Sequence, residues 1–112
     1  MASHSPDSLP VTAADIDAAA GVIADQVKHT PFQYSGRLSR LVGCKLYLKH
    51  EHQQVTGSFK ERGACYALHR LTDEQKRRGV VAASAGNHAQ GVACRGERKG
   101  SPVTVVMPTH AP

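Results

Sequence analysis

"VVAASAGNHAQGVACRGERKGSPVTVV", residues 80–106, decides the fold. Val80 to Ala83 is a short apolar run of the kind that forms a buried strand, and "SAGN" is the turn after it. His88 to about Lys99 reads as a helix, and Pro102 to Pro108 as a second strand ended by "THAP". Upstream, "CKLYLKHE", Cys44 to Glu51, alternates apolar and polar residues, which predicts a strand with Cys44, Leu46 and Leu48 on one face. A Gly57-Ser58 turn then leads into a helix over Phe59 to Leu71. Thr72 followed by Gln75 is a capping box for one more short helix, with Gly79 as its terminating residue. From residue 44 the order is strand, helix, helix, strand, helix, strand, with apolar strands and short loops. A mainly parallel α/β sheet is the economical architecture.

The N-terminal part is helical and then extended. Thr12 can cap a helix from about Ala13 to Val27, where Ile16, Ala19, Ala20, Ile23 and Val27 recur at helical spacing. Thr30-Pro31 ends it and favours extended chain. A short helix over Ser35 to Val42 is closed by Gly43. Residues 1–11, rich in Ser, Pro and His, read as a loose tail.

Composition narrows the function classes. At 112 residues the chain has room for one small domain. The net charge of +5 hints at nucleic acid, but the basic residues are dispersed and only Lys76-Arg77-Arg78 forms a run, which suits a helix C-terminus. Residues 1–27 carry four Asp and no Lys or Arg, so the remainder is strongly basic and suits an anionic substrate or a phosphate-bearing cofactor. A small basic nucleic-acid binder lacks its aromatic platform and helix-turn-helix here, and ranks last. Cys44, Cys65 and Cys94 are odd in number and show no C-x-x-C spacing, so reduced thiols are expected rather than a disulfide frame or zinc knuckle. "MASHSPDSLP" has neither the basic nor the apolar part of a signal peptide, and no run approaches the ~20 apolar residues of a membrane span. A cytoplasmic location is the default expectation. His50 and His52 would share a strand face and could meet a metal, but without a third ligand they read as ordinary exposed polar residues.

Two islands carry chemistry: "TGSFKERGA", Thr56 to Ala64, and "SAGNHAQG", Ser84 to Gly91. Ligands of α/β sheets collect where strand ends lead into helix N-termini with unpaired N–H groups. A positive charge is disfavoured there, which favours the free amine of Lys60, the form that acts as base or Schiff-base nucleophile. Gly57 lets backbone approach an anion, Ser58 and Thr56 offer hydroxyls, and Ser84, Gly86 and the N–H groups around Asn87 and His88 can cradle a carboxylate or phosphate. Taken as residues alone, a surface lysine and a plain turn remain the ordinary readings of both islands.

The two islands, in that order, resemble the pyridoxal 5'-phosphate enzymes of the tryptophan-synthase β-like family (fold type II), most closely its threonine dehydratase (threonine ammonia-lyase) group. The likeness runs from about Thr12 through "HTPFQYS", "KLYLKHE", "LTDEQKRRGVVAASAGNHAQGVA" and "TVVMPTHAP". It implies a partial three-layer, mainly parallel sheet, with residues 12–112 as the N-terminal part of an incomplete dehydratase domain. Lys60 is similar to the lysine that holds pyridoxal phosphate covalently, Phe59 to the residue lying against its ring, and Asn87 to the one bonding its 3′-oxygen. Ser84, Ala85, Gly86, Asn87 and His88 match the loop that receives the substrate carboxylate. The implied reaction takes a small hydroxyamino acid, L-threonine or L-serine, to a 2-oxo acid and ammonia, within amino-acid metabolism and isoleucine biosynthesis. Full-length members are expected to be homo-oligomers.

Single residues separate nearby groups of the family. Cysteine and threonine synthases usually follow this lysine with Asp-Arg, whereas Glu61-Arg62-Gly63-Ala64 is nearer the dehydratase pattern. Serine racemases tend to have Ser at the Ala64 position, their second acid/base group, so a racemase-like enzyme is an alternative that Ala64 disfavours. A non-catalytic truncated homologue, acting through surfaces it cannot bury, is another alternative. The resemblance places the loop for the cofactor phosphate and the partner of its ring nitrogen beyond Pro112. Glu61 stands where many members have an apolar residue, and Gly96, mid-helix at about 1 kcal/mol relative to Ala, predicts a weakened helix.

Overall fold

A computed structural model describes residues 10–112. Along them run α1 (Ala13–Ile23), β1 (Phe32–Tyr34), α2 (Gly36–Val42), β2 (Tyr47–Lys49), α3 (Lys60–His69), α4 (Asp73–Arg78), β3 (Val80–Ala83), α5 (Asn87–Lys99) and β4 (Val103–Val106). The expected tail lies almost wholly outside the described residues. No helix among those residues is long and apolar enough to cross a membrane.

Helix starts follow the capping chemistry. Thr12 Oγ1 accepts from the Asp15 amide at 3.3 Å while Asp15 accepts from the Thr12 amide at 2.8 Å, a reciprocal box in which Asp replaces the usual Glu or Gln. Thr72 and Gln75 make the same box at α4, with bonds of 2.8 and 3.2 Å. Gly43, at φ +72°, closes α2 and donates to the Ser39 carbonyl at 3.0 Å.

α1 stops four residues earlier than its spacing predicts. The amides of Gln26 and Val27 both turn back onto the Ile23 carbonyl, at 2.9 and 3.2 Å. The Gln26 carbonyl is instead taken by Arg95 Nη2 at 2.5 Å. Arg95 thus satisfies one of the carbonyls that a helix C-terminus leaves without an intrahelical partner.

The strands fall into two sheets rather than one. β3 and β4 pair in parallel, Val80 opposite Val103 through Ala83 opposite Val106, as a strand-helix-strand crossover requires. β1 and β2 pair antiparallel, Phe32 opposite Lys49 and Tyr34 opposite Tyr47, which corrects the mainly parallel expectation for this part of the chain. β2 is also shorter than its alternating pattern. Leu46 and Leu48 do turn inward, but Cys44 is exposed, and the chain beyond Lys49 coils into a 3-10 turn over Glu51–Gln53.

Buried Ala64, Leu68 and Val92, from α3 and α5, form the core, with Leu71, Val80, Ala82 and Val103 packed against it. The inner row of β3–β4 is therefore covered. The outer row is open, with Val81 and Val106 74% and 57% exposed, although both strands read as doubly buried.

Gly96 reverses its expectation. It is buried, and a Cβ there would lie 2.0 Å from Val103 Cγ2 and 3.0 Å from the Ser101 carbonyl. The missing side chain is what lets α5 reach β4.

Candidate active site

The first island folds as a tight turn feeding α3. Gly57, at φ +76°, donates to the Gln54 carbonyl at 2.9 Å, and buried Ser58 accepts the Lys60 amide on its hydroxyl at 3.3 Å. Phe59 is the N-cap, 62% exposed, and Lys60 is the first helical residue. The Lys60 ammonium is exposed, makes no hydrogen bond or ion pair among the described residues, and lies 5.5 Å from the Phe59 ring centroid.

The second island is the start of α5. Ser84 is half-buried and its hydroxyl accepts from the amides of Gly86 and Ala89, both at 3.3 Å. Gln90 donates to the Gly86 carbonyl at 3.3 Å. The amides of Asn87 and His88 donate to nothing among the described residues. Ala85, Gly86, Asn87 and His88 are exposed. Two aligned, open N–H groups at the positive end of a 13-residue helix suit a carboxylate or another anion.

Packing brings the islands together. A Cβ on Gly91 would touch Ala64 Cβ at 3.4 Å and the Lys60 carbonyl group at 3.5 Å, so the second turn of α5 rests on the first residue of α3. Beneath this contact lies an ion pair. Glu61, fully buried, accepts from Arg95 Nε at 2.5 Å and from Thr56 Oγ1 at 2.8 Å. The sequence reading missed this pair. Its signal was present: Glu61 shares a helical stripe with Ala64, Cys65 and Leu68, and Arg95 one with Ala89 and Val92, placing opposite charges on two apolar faces.

A second polar network supports the same turn from the side. Glu51 accepts from Arg62 Nε at 2.9 Å and Nη2 at 2.8 Å, and from Thr30 Oγ1 at 2.5 Å. The Arg62 guanidinium holds the Glu51 carboxyl down from 4.5 to about 2, against the opposing pull of burial. Gln54, buried, exchanges bonds with Lys28 backbone at 2.8 and 2.9 Å. His50 and His52 stack edge to face 5.3 Å apart, and no cluster of three metal-binding side chains occurs among the described residues.

A cleft of about 670 Å³ lies between α1 and α3 and is lined by Ile16, Ala19, Ile23, Phe59, Gly63 and Tyr66 among others. Of the candidate residues only Phe59 reaches it. The other candidates do not line this mostly apolar groove, and the packing of α5 on the first residue of α3 makes the paired helix starts the candidate site.

Comparison with known proteins identifies what the chain is similar to. The family model described as pyridoxal-phosphate dependent enzyme matches residues 23–112. An L-threonine ammonia-lyase of Thermotoga maritima is 49% identical over 102 residues, 91% of this chain and 25% of that protein. A biosynthetic L-threonine dehydratase of Mycobacterium leprae is 48% identical over 110 residues, 98% of this chain and 26% of its own. Among solved structures, maize serine racemase superposes with a TM-score of 0.81 at 42% identity, covering 87% of this chain and 30% of that one. The chain thus spans about a quarter of the length of the curated relatives it matches.

Proposed function

We propose a function from one premise: the chain belongs to the family of pyridoxal-phosphate dependent enzymes. Residues 12–112 are read as the N-terminal part of a threonine/serine dehydratase domain, which converts L-threonine or L-serine to a 2-oxo acid and ammonia. What supports this reading is the packing of the second turn of α5, at Gly91, on the backbone carbonyl of Lys60, which holds the two helix starts carrying Lys60 and the open amides of Asn87 and His88 in one packed unit.

The residues present suit one side of pyridoxal phosphate. Lys60 offers an unengaged amine to its aldehyde, Phe59 an exposed ring beside that amine, and Asn87 an exposed amide side chain at the neighbouring helix start. When bound, the cofactor supplies the electron sink for a carbanion. The protein's part is to hold and move protons. Lys60 would take the Cα proton of the amino acid, while the N–H groups of Asn87 and His88 would hold its carboxylate and Ser84 keeps their turn closed. Ala64 is buried against Gly91 in the α3–α5 contact, so this position offers no group to a ligand and does not by itself separate elimination from racemisation.

A partner of longer reach completes the site. The open row of β3–β4 and the exposed aromatics Phe32, Tyr34 and Tyr47 are surfaces that a larger domain would cover. The same surfaces support the second reading, an interaction fragment without activity of its own.

The test adds pyridoxal phosphate to the purified chain, reduces with borohydride and maps the adduct by mass spectrometry, with 2-oxo acid release from threonine and serine measured in parallel. Reductive trapping on Lys60, lost in Lys60→Ala, is expected. Adducts spread evenly over Lys45, Lys49 and Lys60 would defeat the assignment. Trapping on Lys60 without 2-oxo acid release would select the interaction-fragment reading for the chain alone.

A further inference from the structure

The Glu61–Arg95 pair is the strongest feature that the proposed chemistry leaves unused. Its side chains are 0% and 3% exposed; both Glu61 carboxylate oxygens and the Nε and Nη2 of Arg95 have named partners. Burying two charges is expensive, and an apolar pair of similar volume commonly does as well for stability alone. What the pair joins is therefore informative. Glu61 directly follows Lys60 and grips Thr56 at the other end of the "TGSF" turn, Arg95 lies two helical turns beyond the Asn87–His88 start, and Arg95 also grips the Gln26 carbonyl after α1.

The other backbone bonds of the turn are local. Gly57 bonds Gln54, Lys60 and Glu61 bond Ser58, and Arg62 bonds Phe59. Among the described residues the Glu61–Arg95 bond is the sole hydrogen-bonded tie between that turn and α5. Contact between Gly91 and Ala64 sets how closely the helices approach, but two small apolar groups slide easily over each other. A directional, charge-assisted bond fixes the remaining freedom, rotation and sliding of the turn along α5.

We propose that Glu61 and Arg95 are positioning residues for Lys60: the pair locks the lysine-bearing turn in register with the anion-binding start of α5. The proposal deepens the reading of Lys60 given above and rests on it for its chemical meaning, although the lock itself is a property of the apo chain. Neither residue touches substrate or cofactor. They act through the backbone of residues 56–61.

The test separates register from stability. Two variants are compared with the parent: Glu61→Gln, which keeps the shape and the bond to Thr56 while removing the charge, and the double change Glu61→Met with Arg95→Met, which removes both charges and keeps an apolar contact. Amide hydrogen exchange is followed at residues 56–61, with β3 as internal reference, together with the thermal midpoint and the rate of borohydride-trapped pyridoxal phosphate capture at Lys60. The double variant is expected to melt close to the parent, yet to exchange about tenfold faster at 56–61 with β3 unchanged, and to capture the cofactor more slowly at Lys60 than the parent. Glu61→Gln is expected to show the same local signature. Should either folded variant keep parental exchange at 56–61, or lose protection there and in β3 alike, the lock is refuted and the pair serves only general stability. If the parent itself fails to capture cofactor at Lys60, the dehydratase reading falls, and the exchange pattern alone still decides the lock.

Discussion

Gly96→Ala tests the packing of α5 on β4 against helix propensity. In an open helix position this change stabilises by about 1 kcal/mol. Here the new Cβ would lie 2.0 Å from Val103 Cγ2, far inside the ~3.5–4.0 Å separation of contacting carbons. Escape is blocked on the other side, since the Ser101 carbonyl is 3.0 Å away and the Ser101 amide is itself bonded to the Gly96 carbonyl at 2.9 Å. Overpacking of this kind costs roughly 1–3 kcal/mol, and a 2.0 Å contact with its escape blocked belongs at the upper end, so after the propensity gain of about 1 kcal/mol the balance is a loss of up to about 2 kcal/mol. Gly21→Ala is the matched control, because nothing lies within 4 Å of its Cβ position in α1. It should gain roughly 0.5–1 kcal/mol. Urea unfolding followed by circular dichroism, at a slope of roughly 1–3 kcal/mol per molar, should move the two midpoints in opposite directions by several tenths of a molar. A Gly96→Ala midpoint that rises in step with Gly21→Ala would show that α5 does not sit on β4 as described.

Two further outcomes follow from the ionisable groups. Because the Glu51 carboxyl is held below its unfolded value, its contribution is complete above about pH 4.5 and drains away as pH falls toward about 2. Allowing for solvent at the partly exposed Arg62, acid should remove about 1–2 kcal/mol through this group, and urea titrations at pH 6 and 3 should differ by visibly less in Glu51→Gln than in the parent. Burial pushes the Cys65 thiol up and leaves it 0% exposed, whereas Cys44 is exposed. Iodoacetamide should therefore modify Cys44 in the folded chain and Cys65 only as the chain opens; equal labelling without denaturant would contradict the placement of α3.

The parts legible in the sequence were those set by neighbours in the chain. Thr12, Thr72 with Gln75, Gly43 and Gly79 marked helix boundaries because caps act over three or four residues. The strand-helix-strand order of residues 80–106 carried its own topology. The starts of α3 and α5 were legible to within a residue, read at Phe59 and His88 and found at Lys60 and Asn87. Interactions between distant residues were not. Arg95 reaches the Gln26 carbonyl across 69 positions, a contact that no local pattern announces. Glu61 and Arg95 are 34 positions apart, and nothing local to either one names the other. Gly96 looked like a flaw because propensity is a local quantity, while the reason for the glycine lies on β4. β2 was overextended since alternation says which way side chains point and nothing about where a pairing partner ends; β1 supplies only three residues of ladder.

The two-stranded sheet β3–β4 has a consequence for handling the molecule. Each strand offers a free edge among the described residues, beside a face carrying Val81 and Val106. Copies that meet edge to edge can extend the ladder, and the first such encounter is second order in chain concentration. Dilution should therefore keep the chain dispersed where concentration turns it cloudy, and a charged residue in place of Val81 should raise that threshold while leaving the Lys60 turn untouched.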